Sequence, residues 1–100
     1  MIVEFRTYRL KPGTVAQAEE SFGKALPART KLSPFVFAGH SELGGLNRWR
    51  HIWAYKDANH RAGVREHAIK EGIWPPKGGP GPILAQENVL VIPASFSPLR

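Results

Sequence analysis

Glu4, Arg6 and Tyr8 stand at alternate positions near the start of the chain. On an extended strand alternate side chains share a face, so a carboxylate, a guanidinium and a phenol are brought together. None of these can be covered without partners, so a Glu4–Arg6 pair or contacts across a barrel are expected. The stretch Phe35–Tyr55 adds to them. It reads as two strands folded back through Leu43-Gly44-Gly45-Leu46, because glycine reaches the positive φ values of tight turns. That turn sets Glu42 opposite Asn47, His40 opposite Trp49 and Ala38 opposite His51. One face then collects Glu42, His40, Asn47, Trp49, His51, Trp53 and Tyr55. The other carries Phe35, Phe37, Gly39, Ile52 and Ala54, with Arg50 nearer the turn.

The first face reads as a site. His51, Glu4 and Tyr8 are its candidate catalytic groups, with His51 as proton carrier because the ordinary imidazole pKa lies near neutrality. Arg6 attracts an anionic group, and Asn47, Trp49, Trp53, Tyr55 and His40 are candidate ligand-binding residues. The same side chains also suit a polar network that fixes strand register and dimer geometry, and both readings stand. A metal site built from His40, Glu42 and His51 is conceivable, with the two histidines roughly 7–8 Å apart on the diagonal. Its spacing is not diagnostic, and no metal and no cofactor are expected. His51 or His67 could serve haem as an axial ligand, but no spacing singles either out. His60 and His67 read as surface residues two helical turns apart.

Other chemistries are set aside on the residues present. Cysteine is absent, which removes disulfides, thiolate metal sites and cysteine nucleophiles. No serine sits in a nucleophile-elbow pattern. Gly78-Gly79-Pro80-Gly81 precedes a strand rather than a helix, and its proline removes a backbone donor, so it is no phosphate cradle. Arg48-Trp49-Arg50-His51-Ile52-Trp53-Ala54-Tyr55 lacks the glycine–aromatic signature of an RNA-recognition module, which argues against a nucleic-acid partner.

The elements that must position these groups follow in order. Ile2 to Leu10 reads as a strand ended by Lys11-Pro12-Gly13. Thr14 is the expected N-cap of a helix, with Gln17 as capping-box partner. That helix buries a stripe of Val15, Ala18, Phe22, Ala25 and Leu26, turns Gln17, Glu20 and Lys24 outward, and stops or loosens at Pro27. Ser33-Pro34 leads into the hairpin. Asp57 caps a second helix reaching about Glu71, with an inner stripe of Arg61, Val64, Ala68 and Ile69 and a stop at Gly72. Trp74–Pro82 is a proline-stiffened loop, Ile83 to Ile92 the last strand, and Pro93 its end. The order strand, helix, strand, strand, helix, strand is the ferredoxin-like βαββαβ plan, an α+β fold with a four-stranded antiparallel sheet. The helices are expected over Val3, Phe5, Phe35, Phe37, Ile52 and Ala54. The opposite face, with Tyr8, Trp49, Trp53 and Tyr55, is then too apolar for water, and a second copy is expected to cover it.

Composition bounds the rest. One hundred residues make a single domain over 1–100, with one core. The net charge of +6 is spread without runs, so it speaks to solubility and steering more than to a dedicated polyanion site. Glu4 interrupts the apolar run that a signal peptide needs, and no stretch is long enough for a bilayer. A cytoplasmic location without a membrane span is expected.

Several segments also resemble the NIPSNAP family. Glu4-Phe5-Arg6-Thr7-Tyr8-Arg9-Leu10-Lys11-Pro12-Gly13-Thr14 is similar to the opening of its domains. Glu42-Leu43-Gly44-Gly45-Leu46-Asn47, His51-Ile52-Trp53-Ala54-Tyr55, Gln86-Glu87-Asn88 and Phe96-Ser97-Pro98-Leu99 continue the likeness over nearly the whole chain. It departs at Trp49, where an aliphatic residue is expected, and in the Trp74–Pro82 loop. The resemblance implies a dimeric α+β barrel, a homodimer of two ferredoxin-like sheets. Related barrels include cofactor-free monooxygenases, lactone isomerases and haem enzymes, and larger eukaryotic relatives act as binding or adaptor proteins. Two functions follow as expectations. One is a small organic ligand, partly aromatic or anionic, held between sheet and helices or between the two sheets, with proton transfer or cofactor-free oxidation as its chemistry. The other is a non-catalytic interaction domain whose polar sheet face is a dimer interface.

Overall fold

Strands and helices alternate along the chain as β1 (Ile2–Leu10), α1 (Val15–Thr30), β2 (Phe35–His40), β3 (Arg48–Tyr55), α2 (Ala58–Lys70) and β4 (Ile83–Val91). These belong to a computed structural model that describes residues 1–77 and 83–100. The four strands form one antiparallel sheet in the order β2-β3-β1-β4. This is the expected ferredoxin-like α+β arrangement. The sequence Gly78-Gly79-Pro80-Gly81, rejected above as a phosphate cradle, lies outside the described residues with the end of its loop.

The hairpin register matches the expectation, with Ala38 paired to His51 and His40 to Trp49. The connection is longer than a tight turn, however, since β2 ends at His40 and β3 begins at Arg48. Gly44 and Gly45 take φ of +76° and +80° there, values that cost a side chain strain but cost glycine little. Asn47 also has a positive φ of 61°, and its carbonyl accepts from the Leu10 N–H at 2.7 Å. Glu42 and Asn47 therefore belong to the loop, not to the sheet face assigned to them.

Both helices start where expected, with differences at their ends. Asp57 caps α2 by accepting from the His60 N–H at 2.7 Å. Thr14 precedes α1, but its hydroxyl donates to the Lys11 carbonyl at 2.6 Å and no side-chain cap bond forms, so the capping box is not realised. α1 passes through Pro27 to Thr30, which places Arg29 on the buried stripe one turn beyond Leu26. On α2, Val64 and Ala68 are buried as expected while Ile69 faces out.

The layering corrects the larger expectation. α1 and α2 cover the face of Glu4, Arg6, Tyr8, Trp49, His51, Trp53 and Tyr55, not the face of Phe5 and Phe37. Phe22 of α1 meets Trp49 at 5.3 Å, His51 at 5.1 Å and Trp53 at 6.2 Å between ring centroids. Arg61 of α2 reaches Glu4. Burying indoles and a phenol removes more apolar area per residue than burying aliphatic chains, and the helices bring arginines to meet the acid and the phenol. Phe35 joins this covered side, against Phe22 at 5.9 Å and Trp53 at 5.0 Å. A register shift between Phe35 and Phe37 turns the two phenylalanines to opposite faces. On the uncovered face Phe5 and Phe37 are 41% and 54% exposed, with Val89 and Val91 beside them on β4. Among the described residues, no helix is long and apolar enough to cross a membrane.

Candidate functional site

Glu4 is the electrostatic anchor of the covered face. β1 delivers its carboxylate under α2 with no exposure, where Oε2 accepts from Arg6 Nη1 at 3.2 Å and from Arg61 Nη2 at 2.5 Å. Burial pushes the Glu4 pKa up, but the Arg61 hydrogen bond and the charges of Arg6, Arg61 and Arg65 outweigh it and hold the acid below its usual range. Oε1 of Glu4 and Nε of Arg61 find no partner among the described residues. Arg6 continues the network, donating from Nε to the Tyr8 hydroxyl at 2.8 Å. With its amide oriented oxygen-inward, Asn88 of β4 accepts from Arg6 Nη1 at 3.0 Å. The expected Glu4–Arg6 pairing is therefore present, with Arg61 as a third member.

Arg29, absent from the sequence candidates, forms a second buried node. Its Nη1 donates to Ser33 Oγ and its Nη2 to the Tyr55 hydroxyl, each at 2.7 Å. Its guanidinium also lies 4.1 Å over the Trp53 ring. The delocalised guanidinium tolerates this burial better than an ammonium does.

His51 lies between the two nodes, and its state follows from its neighbours. Trp53 Nε1 donates to His51 Nδ1 at 2.7 Å. An indole N–H can only donate, so Nδ1 must be the unprotonated nitrogen and Nε2 carries the hydrogen. Burial together with the positive charges of Arg6, Arg29 and Arg65 pushes the His51 pKa down to about 3, which agrees. This corrects the rationale for His51 as proton carrier. Near neutral pH it is an uncharged imidazole, a hydrogen-bond donor through Nε2.

A cavity of about 170 Å³ opens between the sheet and α1. Its walls are Tyr8, Phe22, Trp49, His51 and Trp74, with Leu10, Ala18, Ser21, Pro75, Pro76 and Ile83 completing the lining. Trp74, from the segment after α2, meets Phe22 edge-on at 5.1 Å and Trp53 at 5.8 Å. A dry cavity of roughly 150 Å³ is large enough for a benzene ring, so this one has room for a body of that size.

The sequence candidates divide accordingly. Tyr8, Trp49 and His51 line the cavity, Trp53 and Arg6 stand behind it, and Tyr55 is engaged by Arg29. Asn47 sits in the loop before β3, away from the cavity. His40 faces α1 and bonds Glu19 at 2.9 Å, half open to solvent. His60 is half-buried rather than on the surface, accepting from the Lys56 N–H and stacking edge-on to Tyr55. The polar sheet face cannot be a dimer interface, because the chain's own helices cover it. A ligand site on that face between two sheets is excluded for the same reason.

Comparison with known proteins agrees with this architecture. The NIPSNAP family profile matches residues 3–98. The human protein NipSnap homolog 3A is 32% identical over 103 aligned residues, which cover 99% of this chain but only 42% of that protein. The chain thus spans less than half the length of the curated relatives it matches. A NIPSNAP family protein of unknown function from Agrobacterium tumefaciens superposes with a TM-score of 0.87 at 31% identity, over 100% of this chain and 94% of its own. A putative antibiotic biosynthesis monooxygenase from Bordetella bronchiseptica gives a TM-score of 0.72 at 14% identity, over 93% and 96% of the two chains, a likeness of fold alone. The match over residues 3–98, carried on a ferredoxin-like sheet, makes this chain a member of the NIPSNAP family.

Proposed function

We propose that this domain binds a small, partly aromatic organic molecule in the cleft between its sheet and α1, as a homodimer joined through the uncovered sheet face. The observation that carries the ligand is the cleft of about 170 Å³, walled by four aromatic rings and His51. Hydrophobic walls with a few placed polar groups are the usual make-up of a small-molecule site. His51 Nε2–H and the Tyr8 hydroxyl orient the ligand. With its imidazole held neutral, His51 is better suited to donating a hydrogen bond to a carbonyl or phenolate oxygen than to exchanging protons near neutral pH. Glu4 acts at one remove, fixing Arg6 and through it Tyr8. The oxygen chemistry of monooxygenases on this fold is not carried over, since a shared fold does not bring a shared site.

The uncovered face supports the homodimer. Phe5, Phe37, Val89 and Val91 leave a contiguous apolar surface on one side of the sheet, and a two-fold copy of the same surface is self-complementary. Binding is tested by titrating the purified protein with phenol, benzyl alcohol and indole while following tryptophan fluorescence. Saturable quenching is expected, lost in Ala18→Leu, which fills the cleft. Unchanged fluorescence across all three, with no small molecule co-purifying by mass spectrometry, would remove the cleft as a binding site.

A further inference from the structure

We infer that the ligand is an arylalkyl carboxylate, its ring in the aromatic cleft and its carboxylate among Arg6, Arg29 and Arg65; this rests on the cleft reading above. A second cavity of about 280 Å³ adjoins the first, lined by Arg6, Arg29, Arg65, Tyr8, Trp74 and Pro75. Tyr8, Trp74 and Pro75 belong to the walls of both cavities, so an apolar compartment and a cationic one meet across shared side chains.

The charges there do not balance from within. Arg6, Arg29, Arg61 and Arg65 face a single buried carboxylate, that of Glu4, and Arg61 bonds it most closely. The chain has eight acidic residues, and the other seven are committed or distant. Glu19 pairs with His40, Glu20 with Lys24, and Asp57 caps α2. Glu42, Glu66, Glu71 and Glu87 are exposed. Residues 78–82 contain only glycine and proline and so hold no further acid. Arg65 forms no ion pair among the described residues. The hydrogen bonds of Arg6 to described residues use Nε and Nη1, and those of Arg29 use Nη1 and Nη2.

Three guanidiniums lining one cavity, with a single buried carboxylate beside them, leave positive charge for an anion from outside to meet, and a planar carboxylate matches their fork geometry. Covalent attachment of that anion to an apolar ring follows from the shared walls. A free inorganic anion would leave the aromatic compartment empty, and a neutral aromatic would leave the cationic one unmatched.

The experiment compares phenylacetate, its neutral isostere phenylacetamide, and acetate by calorimetry and tryptophan fluorescence. Phenylacetate is expected to bind at least about tenfold more tightly than either of the others, the size of one well-placed charge-assisted bond. Arg65→Gln, at a half-buried position on α2, should cost phenylacetate about tenfold and leave phenylacetamide unchanged. Equal binding of acid and amide, or an acid preference that survives Arg65→Gln, overturns the carboxylate assignment while the cleft stands. Acetate binding as tightly as phenylacetate overturns the ring assignment. Failure of both aromatic probes overturns the cleft itself.

Discussion

Beneath the helices, Glu4, Arg6, His51 and Trp53 are sealed from solvent, whereas on the other side of the same strands Phe5, Phe37, Val89 and Val91 stand open. The covered face is the more polar of the two. It can be covered because its main polar tips find partners, two of them on the helices and one on the same strand: Arg61 for Glu4, Arg29 for Tyr55, His51 for the Trp53 N–H. The open face is apolar around Phe5, Phe37, Val89 and Val91, and its charged groups, Arg50 and Glu87 beside Thr7, stand at its other end. Polar identity therefore does not decide which side of a sheet is interior. What decides is whether the covering elements carry complementary groups.

The largest effect is expected from removing the acid on which the covered face depends. Glu4→Ala leaves a buried Arg6 and a half-buried Arg61 without their carboxylate, and breaking a buried pair from one side costs about 3–5 kcal/mol. Urea unfolding at neutral pH measures it. The conservative Glu4→Gln retains volume and one acceptor and should recover only part of the loss, since its amide also presents donors to the guanidiniums. A cost under about 1 kcal/mol for Glu4→Ala would mean that the arginines relax to solvent and that the covered face does not depend on its charges.

The hairpin register was legible because Gly44-Gly45 fixed the centre of the connection, and alternation then placed Glu4, Arg6, Tyr8, His51 and Trp53 together correctly. Alternation cannot say which face the helices choose. Tryptophan, tyrosine and arginine have large apolar bodies with polar tips, so the covered face satisfied hydrophobic burial as well as the phenylalanine face did. A discriminating signal existed at Arg61, which shares the inner stripe of α2 with Val64 and Ala68. A charged residue in such a stripe requires an acceptor beneath the helix, and the carboxylate of Glu4 supplies it. Arg29 lies one turn beyond Leu26 on the stripe of α1 and was missed because Pro27 reads as a stop. Asn47 and Phe35 were misplaced by a longer loop and by a strand irregularity, neither of which leaves a periodic trace. Trp74 follows a helix stop, where spacing carries no information about direction.

The open face predicts an assembly that charge should dissolve. In Phe5→Glu/Phe37→Glu two carboxylates per chain enter a surface proposed to meet its own copy, so four are brought together in the dimer. The dissociation constant is expected to rise at least about 100-fold, or roughly 2.8 kcal/mol at 1.4 kcal/mol per decade. Sedimentation velocity across a dilution series reads it directly, and far-UV circular dichroism should be unchanged because both side chains already face outward. A wild-type protein that sediments as a monomer at micromolar concentration would show that no second copy covers this face.

Acidification separates the two faces without a mutation on either. The folded chain keeps His51 neutral, with its pKa at about 3, whereas in the unfolded chain the imidazole takes up a proton near its ordinary value of 6.5. Stability from His51 is therefore complete above pH 6.5 and is lost as the pH falls toward 3. One pH unit corresponds to about 1.4 kcal/mol, so the loss reaches about 2 kcal/mol between pH 6.5 and 5. Glu4, whose folded pKa lies below its usual value, adds a loss in the same direction only below about pH 4.5. His51→Gln keeps an acceptor for the Trp53 N–H but cannot titrate, so its stability should stay nearly flat from pH 6.5 to 5 while the parent declines. Urea midpoints at half-unit steps give the comparison, and parallel slopes in the two proteins would show that His51 is not the group held neutral under the helices.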